Sequence, residues 1–585
     1  MLLLSLAVIP YLNALHNDFV YDDHAVITEN RSVRSLHPRL MLQPSLDQYT
    51  VEWYRPLTMY SFALNYRLGG LNPLGYHVAN ILLHATNVWL LYGIALRVLR
   101  GPCAALAAAG LFAVHAIHVE AVTPASGRAD LLATVFVLIA WRLALPTDWP
   151  AAWWRVVAIA TAALAGILAK ESAIVVWPLI ALSDLSGLGW TRAQERMPLR
   201  RLAAQARVQA GLAVALGAYL GLRFAVTGEL VPASDMVFRT IENPLATVGL
   251  GVRLVTAAWV FLKYCALLLA PVALSADYSY NQIPVVDSWH DSRLLAVVAA
   301  TASLAYGIAA LWRRDRLIAA SLLLFILLWL PISNMVLVIG TIMGERLMYL
   351  PSVGFTLLVG ALVARVNRND RRLGVILTAL AAAVAAAHVG LAFERNRDWR
   401  TQEALFRDTV KRSAHSAKAH FNYGIVLQSH NRPDAAATHY RAALRIAPHY
   451  PEALNALGTV LLARQDLRGA EECFRAAVQA DPRLATAWTN FGMVLFRSGR
   501  DMDARQALEQ AVRLNPTLAL AHTTLGAIAE RNGKPIDALE HYGEAYRLSP
   551  TFEGLAPHLA ELLEKAGRAD DARTILRNLE RVRPQ

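Results

Sequence analysis

The sequence predicts an all-α protein: a polytopic helical membrane domain followed by an α-solenoid. Two observations carry the first half. Of 585 residues, 56% are hydrophobic and only 17% charged, and the apolar residues come in blocks approaching the length needed to cross lipid. A third observation carries the second half. Beyond about residue 395 four columns recur at a step of 34: Gly424, Gly458, Gly492 and Gly526; Pro448, Pro482, Pro516 and Pro550; Ala419, Ala453, Ala487 and Ala521; Ala443, Ala477, Ala511 and Ala545. A fixed period of this length marks stacked repeats. The domains therefore read as 1–395, in the membrane, and 396–585, the repeat array.

In chain order, Met1–Leu15 is apolar, without a basic start or a small-residue cleavage pattern. It reads as an anchoring first helix with its beginning clipped, not as a cleaved signal. A polar loop, 16–75, follows. Further spans are expected at 76–99, 103–120, 129–145, 152–169, 173–186, 207–225, 250–272, 293–312, 317–337, 343–364 and 373–393, roughly 11–12 helices in all. Basic connections separate them: Arg97 and Arg100; Arg142; Arg192, Arg196, Arg200, Arg201 and Arg207; Arg313, Arg314 and Arg316; Arg365, Arg368, Arg371 and Arg372. These account for a net charge of +12 and a pI near 9.7 through the positive-inside rule, so no nucleic-acid partner is expected. Alternation from the front puts 16–75, 121–128 and Lys170-Glu171 outside the cytoplasm. Alternation backwards from the tail puts 394–585 outside too. The two counts do not meet through 207–316, which implies a re-entrant, interfacial or split segment there. The three cysteines, Cys103, Cys265 and Cys473, form no close pair, so neither a disulfide framework nor a zinc site is implied.

The 34-residue unit has small residues at helix crossings and Pro after its second helix, which is the tetratricopeptide (TPR) pattern. One such hairpin cannot bury its apolar face alone, and stacking buries it. Four complete units are expected, with a half-unit near 401–414 and a divergent cap near 555–580. The array is assigned to binding a protein or peptide, and the chemistry to the membrane part.

Charged residues in so apolar a domain are the candidates for that chemistry, because ionisable groups are costly in lipid. Asp22 and Asp23 end the first apolar segment. Such a pair offers a general base plus a metal ligand or hydrogen-bonded partner, though loop acids can also simply end a span. In an extended stretch neighbouring side chains point opposite ways, so one of the two faces the substrate. His115 and His118, three apart on one helix face, lead to Glu120, Arg128 and Asp130. Tyr54-Arg55-Pro56-Leu57 closes the first loop, and Arg55 has the fork geometry for a phosphate oxygen. Lys170-Glu171 sits between two spans, and Glu345-Arg346 opens another, with Tyr349 behind it. His77, Asn80 and His84 form a polar stripe that is as suited to gluing helices as to touching a ligand.

Five of these stretches occur in one order ahead of a TPR tail: Phe19-Val-Tyr-Asp-Asp; Tyr54-Arg-Pro-Leu; Tyr76-His77-x-x-Asn80-x-x-x-His84; His115-x-x-His118-x-Glu120-Ala-Val; and Glu345-Arg-x-x-Tyr349-Leu-Pro-Ser. The set resembles the transmembrane-and-TPR (TMTC-type) protein O-mannosyltransferases and their bacterial relatives, of the GT-C class of multi-span glycosyltransferases. Ala116 departs from the proline expected between the histidines.

The resemblance implies inverting transfer of a sugar, a mannose-like hexose, from a polyprenyl-phosphate carrier to an extracytoplasmic acceptor. Asp22 or Asp23 would be the base, with Glu120 as helper. Arg55, Arg128, Lys170 and Arg346, with Glu345 and Tyr349, would meet the donor phosphate or substrate. His77, Asn80, His84, His115, His118 and Asp130 are substrate-binding or structural. No cofactor is implied with certainty, and a divalent metal stays open. Expected partners are the polyprenyl-phosphate sugar, membrane lipids and a protein or peptide acceptor recruited by the repeats. Ala/Arg-rich usage favours a bacterial inner (plasma) membrane, with the repeats extracytoplasmic. Two rivals remain. One is a membrane-anchored TPR scaffold, against which the number of spans counts. The other is a lipid-linked sugar transporter, against which the gathering of polar groups at one face counts.

Overall fold

The computed structural model describes residues 1–36, 54–146, 153–189, 198–230, 240–369, 371–552 and 554–582. Among these residues every regular element is helical, as the sequence predicts. The contacts divide the chain into two units, Met1–Ala414 and His415–Gln585. The expected basic residues Arg192 and Arg196, and residues 37–53 of the first loop, lie outside the described residues.

In the first unit, five described helices are long and apolar enough to cross a membrane: Pro73–Leu99, Leu202–Thr227, Leu250–Leu269, Ser292–Arg314 and Arg372–Asp398. Pro102–Val114 with Ala116–Val122, bent by 46°, makes a sixth if counted as one span. Leu2–His16, Trp153–Ala169, Arg316–Ile332 and Ser352–Val366 are shorter apolar helices. Helices satisfy their own backbone groups, which lipid cannot do, and this is a multi-pass membrane protein. Glycine permits the closest approaches. A Cβ at Gly354 would sit 2.4 Å from the Phe325 backbone, and one at Gly360 2.6 Å from Leu99, as expected where helices meet over small residues.

Several expected spans are not continuous helices, and the breaks fall beside the charged motifs. The first segment is α-helical only over Leu2–Val8 and continues as a 3-10 helix, Ile9–His16, with Pro10 in its first turn. The expected 103–120 span stops at Val114. His115 takes an extended backbone and its ring accepts from Ile117 N, capping a 3-10 turn, Ala116–His118. His115 and His118 therefore do not share a helix face. The expected span at 173–186 starts as a 3-10 turn, Glu171–Val175, before the helix Val176–Ser186. That at 343–364 becomes a turn, Glu345–Met348, then a helix from Ser352, just after Pro351. Proline lacks the N–H that would continue a helix through that point. The last helix instead runs longer than expected, Arg371–Asp398. The helix Gln402–Arg412, expected as a half-unit of the repeats, falls within the first unit.

The second unit is the expected stack of helical hairpins, from Ala417–Ser429 with Pro433–Ile446 to Leu555–Lys565 with Ala569–Val582. The 34-step glycines sit where the two helices of a hairpin cross. A Cβ at Gly424 would lie 2.4 Å from Tyr440, at Gly458 2.6 Å from Phe474, at Gly492 2.5 Å from Leu508 and at Gly526 2.8 Å from Tyr542. Sequence period and packing geometry thus have one cause.

Candidate active site

The interrupted helices bring three charged motifs to one place. Arg346 Nη1 donates to Asp22 Oδ2 at 2.7 Å, and Arg346 Nε lies 3.7 Å from Glu120 Oε1. Glu120 Oε2 accepts from the backbone N–H groups of Glu345 (2.7 Å) and Arg346 (3.2 Å). The broken helix at His115 thus presents its acid to the turn that carries the guanidinium. Burial disfavours the charge of Arg346, but Asp22, Glu120 and Asp130 more than offset this and hold its pKa above the ordinary value.

Two further ion pairs stand nearby. Lys170 Nζ donates to both oxygens of Asp130 (2.6 and 2.7 Å), and Arg55 Nε donates to Glu171 Oε2 (2.9 Å). Burial lowers the pKa of Lys170; Asp130 opposes this, while Arg55 and Arg346 are close enough to add to the lowering. Asp22, Arg346, Glu120, Lys170, Asp130, Arg55 and Glu171 therefore form one electrostatically linked group.

The adjacent carboxylates of the first loop part company. The stretch is not extended: Tyr21 sits at φ 55 and a helical turn begins at Asp22. A non-glycine residue in the left-handed region is held there only by its surroundings. Here Tyr21 N donates to Gln402 Oε1 (2.8 Å) and its ring meets Phe406 edge-on. The turn leaves the Asp22 side chain 27% exposed. Asp23 is fully buried. Its Oδ2 accepts from Val20 N (3.3 Å) and Ala125 N (3.2 Å), its Oδ1 from Ser126 N (2.7 Å). Burial raises its pKa, against the pull of those N–H groups. Asp23 thus pins the first loop to the turn at 124–127, while Asp22 faces the charged cluster.

Other sequence candidates turn inward. Arg128 is buried between the Phe62 and Tyr76 rings and donates to Asn80 Oδ1 (2.9 Å), Tyr76 O (2.9 Å), Ser61 O (3.2 Å) and Asn65 Oδ1. Four of the five donors of a guanidinium are thereby occupied. His77 bridges Thr123 O and Asn17 O, both at 2.9 Å. His84 joins Tyr349 Oη (2.7 Å) to Ala113 O (2.9 Å), His115 meets Leu268 O (3.0 Å), and His118 joins Phe112 O (2.9 Å) to Ser352 Oγ (2.8 Å). With Asn80, which donates to Val122 O and Pro124 O, these histidines satisfy backbone carbonyls, and the Tyr349 hydroxyl accepts from Asn87 Nδ2 beside His84. Among the described residues no three His, Cys, Asp or Glu side chains gather as a metal site.

Sequence reasoning missed the outer support. Glu345 is fully buried; its Oε1 accepts from Tyr278 Oη (2.7 Å) and from Ser275 N. Burial pushes its pKa up to about 8, against Arg395. Tyr264 Oη donates to Gly344 O (2.9 Å) and accepts from Gly344 N (2.9 Å). Behind the first loop, Asn396 donates to Pro10 O (2.7 Å) and accepts from Thr123 Oγ1 (2.6 Å), while Asn17 Nδ2 donates to Asn396 O (3.0 Å). A polar Arg395-Asn396 pair at the end of an apolar helix is the available signal, and the domain boundary read from composition falls between the two.

Comparison with known proteins adds an independent line. A family model described as "Protein O-mannosyl-transferase TMTC, DUF1736" matches residues 232–305, the segment that supplies Tyr264, Ser275 and Tyr278. Tetratricopeptide-repeat models match 390–451, 455–519 and 489–553, and 427–482 and 529–585. Similar curated proteins include Protein O-mannosyl-transferase Tmtc1 of Drosophila melanogaster, 30% identical, with 77% of this chain and 61% of that protein covered. TMTC3 of Mus musculus is 28% identical, with 76% and 51% covered. F38B6.6 of Caenorhabditis elegans, also named a protein O-mannosyl-transferase, is 28% identical, with 77% and 63% covered. The chain spans about half to three-fifths of the length of these relatives. It resembles the TMTC proteins over most of its own length, membrane part and repeats together.

Proposed function

We propose that this chain, which resembles proteins named protein O-mannosyl-transferases, is a membrane glycosyltransferase that moves a hexose from a polyprenyl-phosphate donor to a hydroxyl of a protein acceptor. The observation that carries the reading is the part-exposed Asp22 on Arg346, itself backed by Glu120 and neighboured by Lys170–Asp130 and Arg55–Glu171. The cluster supplies the two things an inverting transfer needs, a base and cations.

In this reading Asp22 removes the proton from the acceptor hydroxyl. The freed oxygen lone pair forms the new bond to the anomeric carbon, and the bond from that carbon to the phosphate oxygen breaks. The electron pair leaves on the polyprenyl phosphate, and the proton stays on Asp22. Asp22 suits the base role better than Asp23, whose oxygens are taken up by three backbone N–H groups. Arg346 offers Nη2, which makes no hydrogen bond to a described residue, and Lys170 offers its third N–H; both suit an incoming phosphate oxygen. Arg128, with four of its five donors taken by protein acceptors, is a structural residue. The repeats suit capture of the acceptor chain, and the cluster faces the extracytoplasmic side of a bacterial inner membrane.

The test is transfer by the purified chain in proteoliposomes, with a radiolabelled polyprenyl-phosphate hexose and a mixture of secreted proteins as acceptors. Label appearing in protein with wild type, and not with Asp22→Asn, supports the reading; no label with wild type overturns it. A phosphatase or GFP fusion after Gln585 reports the side of the tail independently. Phosphatase activity without fluorescence fits, and fluorescence alone refutes the sidedness.

A further inference from the structure

We propose that Arg395 is a positioning residue for this transfer: by closing on Glu345 it fixes the Gly344–Arg346 turn and, through it, the guanidinium that holds Asp22. The inference rests on the glycosyltransferase reading and adds to it a residue distant from the reacting atoms.

Arg395 lies near the end of the last long apolar helix and is 4% exposed. Its Nη1 donates to Asp408 (2.8 Å) and Asp398 (3.1 Å). On its other side Nη2 faces Glu345 Oε2 at 3.9 Å. Three buried atoms of this pair make no hydrogen bond to a described residue: Nε and Nη2 of Arg395, and Oε2 of Glu345. Folded proteins leave few buried polar atoms unsatisfied, and removing one partner of a buried ion pair strands the other charge at high cost. The gap exceeds a hydrogen bond by about 1 Å, a distance that a small shift of the turn closes.

The shift has somewhere to go. The backbone N–H groups of Glu345 and Arg346 both hold Glu120, and the Arg346 side chain holds Asp22. Movement of the Glu345 carboxylate therefore reorients the base, its cation and the second acid together. Asp408 lies on the helix Gln402–Arg412, and Gln402 of that helix holds Tyr21 N. One strap thus steadies both the Asp22 loop and the Arg346 turn. A misplacement of about 1 Å at reacting groups costs on the order of a hundredfold in rate.

The experiment compares wild type with Arg395→Met, Arg395→Lys and the double variant Glu345→Gln/Arg395→Met, all as full-length chains. The readouts are kcat and acceptor KM, and backbone hydrogen exchange over residues 343–349. The double variant replaces the buried Glu345 carboxyl left without its guanidinium, while Arg412 still holds Asp408, and so tests positioning even if Arg395→Met does not fold. The expected result is a kcat lower by about a hundredfold in Arg395→Met and the double variant, with KM within about twofold, faster exchange at 343–349, and partial recovery in Arg395→Lys. Wild-type kcat in the folded double variant, or unchanged exchange at 343–349, overturns the proposal. If wild type itself transfers nothing, the functional reading fails, while the exchange measurement still decides whether Arg395 sets the turn.

Discussion

In the four complete repeats each hairpin closes over a glycine, its apolar partner belongs to the same unit of 34 residues, and charge stays on the outside. Arg505 and Glu509, for example, pair at 2.7 Å with side chains 49% and 42% exposed. In the membrane unit the charges are inside, and their partners come from far along the chain. Asp22 meets Arg346, Glu120 meets the 345–346 backbone, Lys170 meets Asp130 and Arg395 meets Asp408. The difference is one of solvent. Against water, polar groups need no partner and packing alone specifies the hairpin. Against lipid, every polar group must find a partner inside the protein, so the helix breaks and the charges locate one another. A place where helices stop and charges converge is also a place where chemistry can be done.

The comparison breaks first at Arg128. If its guanidinium is a structural post, Arg128→Met leaves Asn80 Oδ1, Asn65 Oδ1, Tyr76 O and Ser61 O without their donor, at about 1–3 kcal/mol for each group that finds no other. The expected outcome is loss of folded protein, seen as aggregation on detergent gel filtration. A well-folded variant with a raised donor KM would return Arg128 to phosphate binding. Next in size is the split between neighbouring acids. Asp22→Asn should lower kcat by about 10²–10⁴-fold, the range for a general base, with unchanged thermal stability. Asp23→Asn should instead lower the unfolding temperature. Both effects in one variant would remove the distinction.

These two predictions show where sequence reasoning reached and where it stopped. The four complete repeats were legible, because their constraints recur at a fixed step within local hairpins, whereas the half-unit expected near 401–414 belongs to the first unit. The acids and bases of the site were legible as types, because charge in an apolar block needs a reason. Their sorting was not. Asp22 and Asp23 diverge on the turn that follows the left-handed Tyr21, whose N–H is held by Gln402 from 381 residues away. His115 and His118 read as one helix face until His115 is seen capping a break. Arg395 and Tyr278 both meet Glu345 from distant segments, and no local pattern announces a contact of that range.

Glu345 sharpens the contrast through pH. Its carboxyl is raised to about 8 by burial and by Glu120, with Arg395 opposing and Tyr278 and Ser275 as its hydrogen-bond partners. An unfolded glutamate titrates at about 4.3. The folded state therefore binds more protons between these values, and stability falls as pH rises through that window. The contribution is complete below the unfolded pKa and lost above about 8. Unfolding temperatures from acid to pH 9 should flatten in Glu345→Gln. An unchanged slope would assign the titration elsewhere.

In the repeats a smaller effect is expected from Gly458→Ala. The added methyl meets Phe474 at 2.6 Å, and overpacking of this kind costs about 1–3 kcal/mol. Because repeats are stabilised by themselves and their neighbours, the loss should appear in hydrogen exchange around 451–480 and leave the membrane unit's exchange unaltered. Exchange spreading into the 344–346 turn would show that the two units do not keep their energetics apart.

The smallest effect is the one that tests the solvent argument most directly. Arg505→Ala removes an exposed helical ion pair with Glu509, and such pairs contribute about 0.3–0.5 kcal/mol. Lys170→Ala removes an ion pair of similar length, 2.6 Å, with side chains 10% and 11% exposed, and leaves Asp130 as a stranded carboxylate. Breaking buried pairs costs about 3–5 kcal/mol. The salt response should separate them as well: the small loss in Arg505→Ala should vanish by about 1 M salt, where screening reaches about 3 Å, whereas that in Lys170→Ala should persist. If both variants lost equal stability, or both effects vanished in salt, burial would not be what distinguishes the charges of the membrane unit from those of the repeats.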